Sequence, residues 1–297
     1  MPVHEGDAIR ETHYATLPLW LRILQFPLTR LILLGGTILV MMGVNENFMG
    51  QFKARPVMAI ATTVALAAIT LAIYLGYARF IERRSASELS LPGVGREWAT
   101  GAVIGAGLYT LCVLVLMALG VYRIEGFNPW YFVVPAVAMA LGSGIFEELL
   151  FRGVVSRSVE DLFGSWIALA ISSLMFGGAH LLNPSGTITG ALYISIEAGV
   201  LLAAAYMLTR RLWLSIGFHM AWNYTQSAIF SGIVSGTSPA AGLIRSNIKG
   251  PEVLTGGSFG LESSVLAFAL CTSAGVVLLT MAVRRGTIVP APWKRAA

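Results

Sequence analysis

Charge is the scarce ingredient of this chain. Only 12% of its 297 residues are charged and 56% are hydrophobic, whereas a soluble domain carries about 25% charged residues. With a mean hydropathy of +0.74, an ordinary water-exposed globule is excluded. Cysteine is scarce too. Cys112 and Cys271 both fall in apolar segments, which excludes a disulfide framework or a cysteine metal cluster. There is no HExxH helix, no internal repeat and no low-complexity tract. The net charge is +5, but the basic residues sit in short loops rather than on a patch or helix face, so nucleic acid is not a partner. The opening "MPVHEGDAIRETHYATLPLW" lacks the basic-then-apolar order of a cleavable signal, so internal segments are expected to direct membrane insertion.

What the chain has is long apolar runs. Eight candidate spans cover roughly 28–47, 56–78, 98–121, 130–150, 165–182, 187–208, 212–231 and 263–283; about 20 residues cross a bilayer core. The expected fold class is therefore all-α: a polytopic membrane protein, a bundle of about eight transmembrane helices. Asn45 and Glu46 interrupt the first span. "LPLWLRILQFPLTR" before it reads as an interfacial lead-in, with Trp20 and Arg22 at headgroup level. The Gly/Ser/Pro-rich loop 232–262 argues against a further span. The division is a polar or interfacial tail over 1–27, a helical domain over 28–285 with its motif core at about 140–231, and a basic tail over 286–297. Of the 20 lysines and arginines, Lys53, Arg55, Arg123, Arg245 and Lys249 fall on one side and all others, Arg152 included, on the opposite side. By the positive-inside rule both termini are expected in the cytoplasm.

Ionisable residues within a bilayer are costly and therefore functional candidates. They are Glu147, Glu148, Arg152, His180, Glu197 and His219, with Asn223 beside them; His4 and His13 lie in the polar tail. Glu148 and Arg152 have the spacing and order of a helical ion pair. Glu147, one residue earlier, points about 100° away and is left unpaired, which suits a general base. "FGGAH" sets Phe176 and His180 on one helical face, with Gly177 and Gly178 admitting a close neighbour. "HMAWN" sets His219 and Asn223 on one face of another helix. If the fourth span stays helical to a turn at Gly164, Glu147 and His180 both lie about 24 Å from that turn and stand side by side. Such a pocket can activate water by carboxylate and imidazole and steady an oxyanion by imidazole and amide, as amide hydrolysis requires.

The three motifs "EELLFR", "FGGAH" and "HMAWN", in this order, resemble the EExxxR, FxxxH and HxxxN motifs of the CPBP family of intramembrane proteases. That family includes type II CAAX prenyl endopeptidases, bacteriocin-processing or self-immunity proteins and Abi proteins. The likeness runs over roughly 85–285, and "EAGVLLAAAYMLTRRLWLSIGFHMAWNYTQS" and "LTGGSFGLESS" look like a bacterial subset. The resemblance implies an eight-helix fold with a site open to the cytosol. It implies Glu147 as the base that activates water, assisted by His180; His219 and Asn223 as the oxyanion hole; Glu148 and Arg152 as a supporting ion pair with Phe176. Glu197, outside the motifs, is either a supporting residue or helix packing. No cofactor is firmly implied. Zinc stays an alternative, with Glu147, His180 and His219 as a two-His, one-carboxylate set. The implied partners are the lipid bilayer and a peptide or membrane-protein substrate; the implied location is an integral membrane position in a bacterial inner membrane. A non-catalytic immunity or protein-binding scaffold of the same fold is the alternative function. A proton-coupled transporter would need polar residues along a path and broken repeats, and bis-histidine haem binding would leave Glu147, Glu148 and Arg152 unexplained.

Overall fold

The structure, a computed structural model, describes residues 17–295. His4 and His13 lie outside the described residues. The protein is all-α and polytopic, 75% helical, and among the described residues seven helices are long and apolar enough to cross a membrane. A short helix α1 (Leu19–Gln25) precedes them. The spans are α2 (Pro27–Gln51), α3 (Pro56–Ile81), α4 (Val94–Ala118), α5 (Trp130–Phe163), α6 (Ser165–Leu182), α7 (Ile188–Thr209) and, after the helix α8, α9 (Val265–Arg284). The stretch expected as the seventh of eight spans is α8: Trp213–Tyr224, continued as a π-turn over Thr225–Ile229. It is short and polar because it does not face lipid. Ser215, His219, Asn223 and Gln226 are all buried within the bundle, so apolarity is not demanded of it.

Burial orders the helices from outside to centre. Only 22% of the apolar window is buried in α2 and in α9, but 72% in α7. Facing lipid, the outer helices need no protein cover for their apolar side chains. The tight crossing of α4 and α8 is made by glycine. A Cβ on Gly101 would strike the Leu214 carbonyl, one on Gly105 the Phe218 carbonyl, and one on Gly217 the Trp98 carbonyl. This small-residue stripe lets the polar helix seat directly on an apolar one.

Three local features depart from the sequence reading. The first span runs on past Asn45 and Glu46, because Asn45 is buried and accepts a 2.8 Å hydrogen bond from Thr63 of α3. The loop after α8 returns a strand, β2 (Ile244–Ile248), which pairs antiparallel with β1 (Tyr122–Phe127) across a bulge between Ile124 and Gly126. Arg152 and Arg30, counted as side-marking charges, are instead buried. Arg30 bonds Glu82 at 2.8 Å and Asp161 at 2.7 Å. It thereby ties the start of α2 to the cytoplasm-assigned ends of α3 and α5. In the lead-in helix α1, Leu19, Trp20 and Ile23 are exposed while Leu21 is fully buried.

Candidate active site

The fourth span continues without a break to Phe163 and turns at Gly164, whose φ of 82° suits glycine. Its middle is not regular α-helix. It widens into π-turns over Ser143–Glu147 and Leu149–Ser156. A π-turn pairs i with i+5 and is commonest where a helix re-aims side chains at a site. Here it carries Glu147, Glu148 and Arg152. A third π-turn, Ser195–Val200, carries Glu197. Three others are Leu31–Gly35, Tyr77–Ile81 and Thr225–Ile229.

Glu148 and Arg152 are both 0% exposed and 3.0 Å apart. The same Glu148 Oε1 accepts from His219 Nδ1 at 2.9 Å. Arg152 also donates to the Gly199 carbonyl at 3.1 Å, and its guanidinium lies 4.6 Å from the centre of the Phe176 ring. The carboxylate is thus shared between two donors, and the guanidinium is held by an ion, a carbonyl and an aromatic face. Because Glu148 takes the Nδ1 proton, His219 presents Nε2 to the site. That nitrogen lies 3.9 Å from Glu147 Oε2, a buried oxygen with no hydrogen-bond partner.

His180 ends α6. Its Nδ1 lies 2.8 Å from the Phe176 carbonyl. A carbonyl can only accept, so Nδ1 carries the proton and Nε2 keeps its lone pair. Phe176 joins the two imidazoles, its ring 4.9 Å from that of His180 and 5.8 Å from that of His219. Asn223 is buried and donates to Ser143 Oγ at 2.9 Å, leaving one amide hydrogen free. His180, His219, Asn223 and Glu197 line one cavity of ≈ 20 Å³, room for about one water. Glu147 is not among the residues that line that cavity, and no direct hydrogen bond joins it to His180. Gly177 does admit a neighbour, its hydrogens facing Ser195 Oγ and the Ala191 carbonyl; Gly178 has nothing within 4 Å.

Among the described residues no three His, Cys, Asp or Glu side chains are grouped to hold a metal ion. The set Glu147, His180 and His219 is not preassembled for zinc, and His219 Nδ1 is committed to Glu148. Cys112 and Cys271 are buried free thiols.

Glu262, within "LTGGSFGLESS", carries no signal in the sequence that sets it apart. It is buried, and its oxygens accept from Trp222 Nε1 at 2.9 Å, Ser235 N at 2.5 Å and Ser235 Oγ at 2.8 Å. It ties the loop after α8 to the helix that bears His219 and Asn223. An acid in a Gly/Ser loop reads as solvated unless the loop is known to fold inward.

Fold and site together define an all-α polytopic membrane protein with an ionisable cluster buried at its centre. Residues 129–225, which hold all three motifs, match the family model described as Type II CAAX prenyl endopeptidase Rce1-like. Over this segment, about a third of the chain, the sequence is similar to the CPBP/CAAX family. Comparison with curated proteins and with solved structures gave no match.

Proposed function

We propose that this chain is an intramembrane endopeptidase in which Glu147 activates the attacking water. The observation that carries this reading is the Glu147 Oε2 atom: buried, without a hydrogen-bond partner, and 3.9 Å from His219 Nε2. That separation is too long for a direct bond and suits two groups bridged by one water.

In the proposed reaction, Glu147 takes a proton from this water as its oxygen bonds the scissile carbonyl carbon. His180 Nε2 accepts a hydrogen bond from the water's other hydrogen. The carbonyl electrons move to oxygen, and the oxyanion is met by the free Asn223 amide hydrogen and by His219 Nε2–H. His219 can donate from both nitrogens only as an imidazolium, whose charge the Glu148 carboxylate balances. Glu147 then delivers its proton to the amide nitrogen as the carbon–nitrogen bond breaks. Glu148 and Arg152 hold His219 and do not touch substrate. The substrate is a peptide or a membrane-protein tail, reached from the cytoplasm, with both termini of the chain on that side in a bacterial inner membrane. The protease domain is taken as 28–285.

The test compares new N- and C-termini in the membrane proteome of cells with the wild-type chain, the Glu147→Gln variant, or neither. Cleavages confined to wild type support the reading and name the substrates. Identical termini with a folded, inserted variant and the substrate expressed would favour a non-catalytic scaffold.

A further inference from the structure

Asn223 meets the oxyanion in the proposed reaction, yet among the described residues its side chain makes a single hydrogen bond: Nδ2 donates to Ser143 Oγ at 2.9 Å. An amide held by nothing turns over about its last torsion, because that torsion has a broad, two-fold profile. The turned amide would bring its carbonyl oxygen to the place where the oxyanion forms, and oxygen would face oxygen. Which way the amide points therefore decides whether Asn223 helps or hinders the reaction. Ser143 is the group in contact with it that can decide.

Three features of the chain build this contact. Helices α5 and α8 meet here with no side chain between them: a Cβ on Gly144 would strike the Met220 side chain and lie 3.3 Å from the Ile216 carbonyl oxygen. Ile216, Met220 and Asn223 share one face of α8 by their i, i+4, i+7 spacing, so the residue beside Gly144 reaches Asn223. Next, the Ser143 hydroxyl donates to the Ala140 carbonyl at 3.4 Å, one helical turn back. With its hydrogen turned that way, Ser143 Oγ offers Asn223 a lone pair and not a proton. It accepts from Nδ2 and disfavours the turned amide. Finally, Ser143 opens the π-turn that ends at Glu147. One turn of α5 thus carries both the proposed base and the group that orients the oxyanion donor. Asn223 lines the cavity it shares with His180 and His219, and Ser143 is not among the lining residues.

We propose that Ser143 is a positioning residue: by accepting one amide hydrogen of Asn223 it turns the other toward the oxyanion. The assignment rests on the role given to Asn223 above, but the bond is testable without turnover. The full chain is labelled with ¹⁵N-asparagine in lipid nanodiscs; six asparagines give few side-chain amide resonances, and Asn223→Ala assigns the pair needed. In Ser143→Ala one of the two Asn223 amide hydrogens loses its acceptor and moves upfield. In Ser143→Thr, which keeps the acceptor, it stays near wild type. Alanine suits a helix, so Ser143→Ala is expected to fold and insert. On a substrate from the termini comparison, Ser143→Ala lowers kcat by about 10–100-fold, the range for residues that orient a functional group through another. KM is unchanged, because the oxyanion is absent from the ground state. Ser143→Thr retains most of kcat. Asn223→Ala lowers kcat by about 10²–10³-fold, and adding Ser143→Ala to it costs nothing further, since no amide is left to orient. An amide resonance unchanged in Ser143→Ala, a kcat untouched by that variant, or a kcat loss equally large with and without Asn223 overturns the assignment. If no chain cleaves any substrate but the amide still responds, the protease reading fails and the Ser143–Asn223 link stands.

Discussion

Replacing Arg152 by methionine keeps most of the side-chain length and removes the charge. The structure assigns three losses: a 3.0 Å ion pair with Glu148, a 3.1 Å bond to the Gly199 carbonyl, and a guanidinium 4.6 Å from the Phe176 ring centre. The ion pair dominates, because both partners are 0% exposed and Glu148 loses its arginine counter-ion. Stranding one member of a buried pair costs about 3–5 kcal/mol; the cation–π contact adds on the order of 1–2 kcal/mol. Arg152→Met should therefore destabilise the protein by at least about 3 kcal/mol. The double variant Glu148→Gln/Arg152→Met removes the stranded charge and should recover more than half of that loss, a coupling in the range seen for contacting residues, about 0.5–3 kcal/mol. Unfolding by SDS in mixed micelles, followed by the fluorescence of the seven tryptophans, measures both. Equal stability of the single and double variants would refute the reasoning, since the cost would then be lost packing rather than an uncompensated carboxylate.

Acid should weaken the network at the end of α3. Glu82 lies outside the spans and receives Arg30, Arg84 and Arg157. Burial pushes its carboxyl up, but Arg157, Arg84 and Arg30 together outweigh that and hold it at about 2 rather than 4.5. A depressed value means the stabilisation is complete above pH 4.5 and is lost as pH falls toward 2, with on the order of 3 kcal/mol at stake. Unfolding midpoints should be level from pH 7 to 5 and drop below 4.5, and Glu82→Gln should flatten that drop. Gly177→Ala should cost about 1–3 kcal/mol by overpacking, as its Cβ meets Ser195 and Ala191, while Gly178→Ala, with nothing within 4 Å, should be neutral in the same unfolding assay. Glu262→Leu strands Trp222 Nε1 and two Ser235 donors, so hydrogen exchange over 231–262 should speed up while that of α3 is unchanged.

Most of the helical frame was legible because lipid imposes a strong rule: an outward face must be apolar for some 20 residues. That rule fails for α8, which no lipid touches, and its polar residues make sense only as lining. The Glu148–Arg152 pair was legible because i,i+4 spacing is a local property and survives the widening of α5. The second bond of Glu148, to His219, is 71 residues away in sequence and has no local signature. Arg30 was misread for a related reason. A cation near a helix start looks like an interfacial charge until Glu82 and Asp161 arrive from elsewhere. The ribbon of β1 and β2 pairs residues more than a hundred positions apart, across a bulge, and neither strand alternates cleanly enough to announce itself.

Among the described residues, the buried oxygens Glu147 Oε2, Glu148 Oε2 and Glu197 Oε2 have no donor from the protein. A bundle selected for stability alone would have replaced them, since apolar residues in such positions are commonly neutral or stabilising. The π-turns point the same way, since they give up regular i to i+4 pairing along α5 and α7 where Glu147, Arg152 and Glu197 sit. Acids kept at these positions despite that cost favour the proposed reaction over a scaffold. A scaffold of the same fold would need the shape of this pocket but not its open valences.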